Sequence, residues 1–198
     1  MLITLEGIDG AGKSTLYEGL KTRLTDLEPV FTKEPGSPLV NKAVRREIEA
    51  NQDPFAEATL FVADHAAHLA QIVIPALENK KLVITDRYAD SRFAYQQVSL
   101  VGIVPDPKAW LTAVHAGWSI RPDLTILLLI SPDVAMSRLV GRPGKEHFED
   151  PAFLEEVQKR YLERVAEDPD RFLLIDAAQD PETILDFVEK SIRALPST

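Results

Sequence analysis

Cysteine is missing from the 198-residue chain, which excludes disulfides, zinc-thiolate sites and a thiol nucleophile and fits a reducing compartment. Cations are scarce: 22 Lys and Arg against 31 Asp and Glu leave a net charge of −9. A general nucleic-acid binder draws most of its affinity from neutralising phosphates, so that class is excluded, and any anionic ligand has to be met by locally clustered cations. Long apolar runs are missing too, since the longest, residues 124–130, is far too short to span a bilayer. Residues 1–6 carry neither the basic start nor the apolar stretch of a signal peptide and read as a strand. The expectation is a soluble, cytoplasmic protein with no membrane partner. What is present, 45% hydrophobic residues, suffices for one sizeable core and predicts a single domain over residues 1–198.

Fourteen prolines could mark linkers, but most stand where helices begin. Asp53-Pro54, Asp106-Pro107, Ser131-Pro132, Asp150-Pro151 and Asp180-Pro181 each place a capping oxygen at the N-cap and proline at the first helical position. Short apolar runs at 2–6, 82–86, 124–130 and 172–176, with a weaker one at 29–32, predict strands. Helices are predicted over 14–26, 39–50, 54–79, a piece after Pro107, 132–139, 151–167 and 181–195. Continuous apolar strands alternating with helices predict an α/β, three-layer fold with about five parallel strands, and Pro143-Gly144 breaks the helical pattern to leave a short lid loop near 139–150. Ligands of such sheets bind beyond the carboxyl ends of the strands.

There, Gly7-Ile8-Asp9-Gly10-Ala11-Gly12-Lys13-Ser14-Thr15 matches G-x-x-x-x-G-K-[ST] between a strand and a helix, the context a P-loop requires. Glycines let backbone N–H groups converge on a phosphate, and the helix aims its positive end at it. Lys13 is expected to reach the β- and γ-phosphates of a nucleoside triphosphate and Ser14 to bind Mg²⁺. Leu82-Val83-Ile84-Thr85-Asp86 is an apolar strand ending in a carboxylate, which makes Asp86 a second candidate for the hydrated metal.

Asp86 continues into Arg87-Tyr88-Ala89-Asp90-Ser91-Arg92-Phe93-Ala94-Tyr95-Gln96. This string resembles the DR[YH]xxSxxAYQ pattern of thymidylate kinases, and the likeness extends to the P-loop, to residues 60–64, to Thr32-Lys33-Glu34-Pro35-Gly36 and to Ile175-Asp176-Ala177, nearly the full chain. The resemblance implies transfer of the γ-phosphoryl of ATP to dTMP with Mg²⁺, and a homodimer. It implies that Arg87 holds the acceptor phosphate, Phe61 stacks on thymine, and Tyr95 lies against the deoxyribose. It further implies that Asp9 contacts the sugar or the metal-phosphate assembly, that Glu34 and Pro35 lie over the nucleoside, and that Arg45 or Arg46 reaches its phosphate. By the same resemblance Ser91, Arg92 and Gln96 are expected to complete the acceptor site.

Family members without a P-loop arginine supply a catalytic cation from the lid, and Gly10 stands at that P-loop position, so Arg142 or Arg138 is expected to serve. Three departures stand out. His65 occupies the arginine position of ADRxxH, and with Phe61 and His68 at helical spacing it is expected to face the acceptor phosphate and take up a proton on binding. The REPGGT-like loop is one glycine short at Gly36-Ser37, and His147 stands where a lid arginine precedes Phe148-Glu149. The rival enzyme is a kinase of another nucleotide or deoxynucleoside on the same scaffold, with Glu34 as general base. From another class, a guanine-reading switch lacks its NKxD-like motif, while a catalytically weakened nucleotide binder stays open.

Overall fold

The computed structural model describes residues 1–141 and 147–196. Arg142 and Lys145, with the middle of the expected lid (142–146), lie outside the described residues. Five parallel strands, β1 (Leu2–Gly7), β2 (Val30–Lys33), β3 (Val83–Asp86), β4 (Leu124–Leu129) and β5 (Phe172–Asp176), form one sheet in the order β2-β3-β1-β4-β5. β1 is central, pairing Leu5 with Asp86 on one side and Gly7 with Leu128 on the other. Its carboxyl end therefore delivers residues 7–12 into the space between β3 and β4.

Alternation along β1 assigns its two faces. Ile3 and Leu5 join the core with Leu16 and Leu20 of α1 (Lys13–Arg23), which packs beside α9 (Pro181–Arg193). Leu2 points to the other face, against Val83, Tyr88, Leu69 and Val73. Thr4 and Glu6 follow Leu2 on that face and are fully buried.

The remaining helices are α2 (Asn41–Ala50), α3 (Pro54–His68), α4 (Ile74–Glu78), α5 (Ala89–Ser99), α6 (Pro107–His115), α7 (Pro132–Leu139) and α8 (Pro151–Glu167). All five capping oxygens accept from backbone N–H groups of the helices that follow them, with proline in the first turn. A π-helical stretch, Leu69–Val73, joins α3 to α4, so the chain is helical from Pro54 to Glu78. By length and composition alone those 25 residues pass for a membrane span, a test that the core helix of a soluble protein also passes. The segment nevertheless carries the buried polar side chains Asp64, His65 and His68 and packs on α2 and α5.

α5 lies outside the helices that the sequence predicts. Residues 90–96 are all buried, wedged between α3, α6, α8 and β1, so no apolar stripe alternates with a polar one. Its N-cap, Tyr88, makes no capping bond of its own.

Candidate active site

The P-loop conformation rests on its glycines. Gly10 has φ +80°, and a Cβ there would lie 2.4 Å from the carbonyl oxygen of Ala135 in α7. Gly12, at φ +100°, is the N-cap of α1 and makes no side-chain cap bond, which leaves the first N–H groups of that helix available to an anion. Lys13 Nζ donates to the carbonyls of Gly7 (3.0 Å) and Ile8 (2.9 Å). Burial and the nearby Arg87 pull its ammonium down to about 8, with Asp9, Asp86 and Glu6 opposing. Ile8 and Ala11 are core residues that anchor the loop, while Ser14 and Thr15 are exposed at the mouth of a cleft of about 720 Å³. Asp9, Asp86, Arg87 and Arg138 line the same cleft.

Arg87 leaves β3 at φ +67° and turns back toward β1. Its Nη2 donates to Asp9 Oδ1 (2.5 Å) and Tyr95 Oη (3.3 Å), and its Nη1 to Ser91 Oγ (3.1 Å) and the Gly7 carbonyl (3.3 Å). The guanidinium carbon sits 4.9 Å from the Tyr95 ring centre. Burial is the largest single influence and disfavours its charge, but Asp9 together with Tyr95, Tyr161 and Asp86 outweighs it and holds the guanidinium charged. Asp9 in turn is held below the usual carboxylate range: burial pushes it up, and Arg87 and Lys13 more than reverse that. Tyr95 Oη donates to Asp9 Oδ2 at 2.8 Å. P-loop, strand end and α5 are therefore joined at one point.

Of the three metal candidates, Asp9 has both oxygens engaged, whereas Asp86 Oδ1 is buried without a hydrogen-bond partner among the described residues. An orphaned carboxylate oxygen in the cleft that Ser14 also lines fits Mg²⁺, which takes one or two protein oxygens and completes its shell with phosphate and water. Among the described residues no cluster of three or more His, Cys, Asp or Glu side chains is arranged to hold a metal by itself.

A second cluster lies under α3. The Glu34 carboxylate, buried at the end of β2 before a cis peptide to Pro35, accepts from His65 Nδ1 (2.8 Å) and His68 Nδ1 (2.6 Å) and forms an ion pair with Arg92. The other ring nitrogens meet hydroxyls: His65 Nε2 lies 2.9 Å from Ser119 Oγ and His68 Nε2 2.8 Å from Thr32 Oγ1. Neutral imidazoles, donating at Nδ1 to Glu34 and accepting at Nε2 from the hydroxyls, satisfy these contacts, while Arg92 Nη2, a donor only, also stands 3.1 Å from His65 Nδ1. Burial pushes His65 down to about 3 and His68 to about 4. His65 is thus a fully buried, fully partnered side chain, not the phosphate-facing, proton-accepting group that its helical spacing suggests. Spacing sets which helix face a residue shares, but β2 covers that face with Glu34. Burial also draws Arg92 down to about 9, and its Nε has no partner among the described residues.

The other predicted residues fall as follows. Phe61 is half-buried against the main core, and Gln96 is buried on α5. Arg45 and Arg46 are exposed on α2, with Arg45 Nε bonded to Asn41 (2.9 Å). Arg138 Nη2 donates to the Ala177 carbonyl (3.0 Å), on the loop after β5, not to the P-loop. His147 ties the returning chain to α2 and α3 through the Ile48 carbonyl (3.2 Å) and Glu57 (3.3 Å). Two residues escaped the sequence reading. Asp64 accepts from Gly36 N and Ser37 N, both at 3.0 Å, and so clamps the loop carrying Glu34 and Pro35. Glu6 is the other, and the signal for it was present: an acid at the end of an apolar strand, directly before the P-loop glycine.

A family model described as thymidylate kinase matches residues 5–188. A probable thymidylate kinase of Methanocorpusculum labreanum is 90% identical over 196 residues, 99% of either chain. One from Methanospirillum hungatei is 55% identical over 98% of this chain and 94% of its own. One from Natronomonas pharaonis is 42% identical over the full length of both.

Proposed function

The chain belongs to the thymidylate kinase family, and from that premise we propose that it transfers the γ-phosphoryl of ATP to dTMP, giving dTDP and ADP. The bond from a dTMP phosphate oxygen to the γ-phosphorus forms as the bond from that phosphorus to the β,γ-bridging oxygen breaks. The observation that carries the reading is the Gly7 carbonyl, which accepts from both Lys13 and Arg87. A donor-side and an acceptor-side cation converge there, as a reaction between two anions requires.

In this reading the P-loop N–H groups and Lys13 hold the triphosphate, Arg87 holds the dTMP phosphate, and Asp9 and Tyr95 fix Arg87 while bordering the sugar. Phe61 offers its free edge to the thymine, beside Ser91, Arg92 and Gln96. Asp86 and Ser14 would hold Mg²⁺, which supplies charge neutralisation at the β- and γ-phosphates. Glu34, the general base that a deoxynucleoside kinase would need, is buried and already engaged by Arg92, His65 and His68, which disfavours that rival. The protein works in the cytoplasm as a homodimer with neither nucleic acid nor membrane as partner, and sedimentation at micromolar concentration tests the dimer.

The test of function is ADP release with ATP, Mg²⁺ and a panel of acceptors. dTMP is expected to be best, dUMP slower, and AMP, GMP and thymidine nearly inert. Preference for a purine monophosphate or for thymidine overturns the reading.

A further inference from the structure

Among the buried acids that the proposed reaction does not use, Glu6 lies nearest the P-loop in sequence. Glu6 is the penultimate residue of β1, next to Gly7, and is fully buried on the α5 side of the sheet. Its Oε1 accepts from the backbone N–H groups of Tyr88 (2.9 Å) and Ser91 (3.3 Å), and its Oε2 from Ser91 Oγ (2.5 Å) and Tyr161 Oη (2.9 Å). The two oxygens have separate roles. Oε1 caps α5 from a neighbouring strand. Oε2 takes the Ser91 hydroxyl proton, and Ser91 Oγ then presents a lone pair to Arg87 Nη1 at 3.1 Å.

Capping alone does not account for a buried carboxylate. Five helices here are capped by a short side chain from the preceding residue, which avoids the desolvation penalty of an acid in the core. What Glu6 adds is a hold on Arg87, whose backbone stands in the left-handed region just after a strand end. The same Nη1 also reaches the Gly7 carbonyl that takes Lys13 Nζ.

We propose that Glu6 is a positioning residue for Arg87, acting through the Ser91 hydroxyl, so that the Glu6-Gly7 dipeptide sets the separation of the acceptor-side and donor-side cations. The proposal rests on Arg87 as the group that binds the acceptor phosphate.

Glu6→Gln keeps a carbonyl oxygen for the two backbone N–H groups but turns the Oε2 position into a donor. Ser91→Ala deletes the relay and leaves the cap. The experiment measures steady-state kinetics with ATP and dTMP, calorimetric binding of dTMP without ATP, and thermal unfolding, for the parent, both single variants, the double variant and Arg87→Ala. Each single variant is expected to raise the KM and Kd for dTMP about tenfold, the loss of one hydrogen bond to a charged group, with the KM for ATP within about twofold. The double variant should be no worse than the weaker single one, because both break one path.

Parent-like dTMP constants in folded Glu6→Gln overturn the proposal, as do additive losses or KM values for both substrates rising together with falling thermal stability. If Glu6→Gln does not fold, parent-like constants in Ser91→Ala overturn it equally. Arg87→Ala separates the two levels: unchanged dTMP affinity there removes the acceptor-phosphate reading itself, whereas lost affinity there with parent-like Glu6→Gln removes only the relay.

Discussion

At the residue scale, the buried lysine and the crowded glycine of the P-loop give the sharpest expectations. Burial and Arg87 disfavour the Lys13 charge and pull its ammonium down to about 8. The triphosphate favours the ammonium form, so kcat/KM for ATP should fall as pH rises through about 8, the pKa of the free protein. The stability sign is opposite. A lysine whose folded pKa lies below its unfolded value of about 10.4 costs stability below the folded pKa, and the cost is relieved as pH rises between the two. Lys13→Ala should therefore lower kcat by about 100-fold or more while leaving the melting temperature at pH 7 unchanged or higher. A low melting temperature would assign Lys13 a structural role instead. Gly10→Arg, which would restore a P-loop arginine, should fail to help. The left-handed backbone adds about 1–2 kcal/mol of strain for a residue with a Cβ, and that Cβ would meet the Ala135 carbonyl oxygen at 2.4 Å. Reduced melting temperature and kcat are expected, and a gain in kcat would contradict this account.

At the element scale, α7 and the chain beyond it divide the two lid arginines. Arg138 is committed to the Ala177 carbonyl at the far wall of the cleft, where Gln179 and Pro181 follow. Arg138→Ala is expected to raise the KM for ATP with little change in kcat, the signature of uniform binding. Arg142→Ala should lower kcat more than it raises either KM, because Gly10 leaves no P-loop arginine to share the developing charge. Reversal of the two profiles would exchange the roles. Elements differ in legibility for a related reason. The Asp-Pro and Ser-Pro starts are local chemistry, readable without knowing what packs nearby, and each aspartate or serine cap contributes about 1 kcal/mol. α5 carries no such start, since its cap comes from Glu6, 82 residues earlier in the chain.

At the scale of the whole molecule, buried histidines control acid stability. Burial lowers His65 to about 3 and both His68 and His115 to about 4, so the unfolded chain binds more protons between about pH 4 and 6.5. Stability should fall with acidification across that window, by up to about 1.4 kcal/mol per pH unit for each histidine. Glu6, raised to about 7 by burial and Asp90, works the other way, binding its proton first in the folded state. Asp64, also raised by burial, acts with Glu6, while His147, also lowered by burial, joins the other histidines, and the four histidines leave a net loss, visible as a lower urea midpoint at pH 5 than at pH 7. The same burial predicts that dTMP binding is accompanied by no proton uptake at His65. Calorimetry in two buffers of different ionisation enthalpy checks this, and His65→Gln should leave the proton balance unchanged.

The sequence by itself determined the parallel α/β sheet, the helix starts, the P-loop with Lys13, the Asp86-Arg87 strand end and the family. Each of these is written in contiguous residues whose chemistry is local. Tertiary structure alone decided which groups surround the two histidines, which arginine spans the cleft wall and which acid caps α5. Glu34 reaches His65 across 31 residues and Tyr161 reaches Glu6 across 155. Hydrogen bonds and desolvation act through space at a few ångströms, and no spacing along the chain encodes which distant strand will bring a carboxylate to a given helix face.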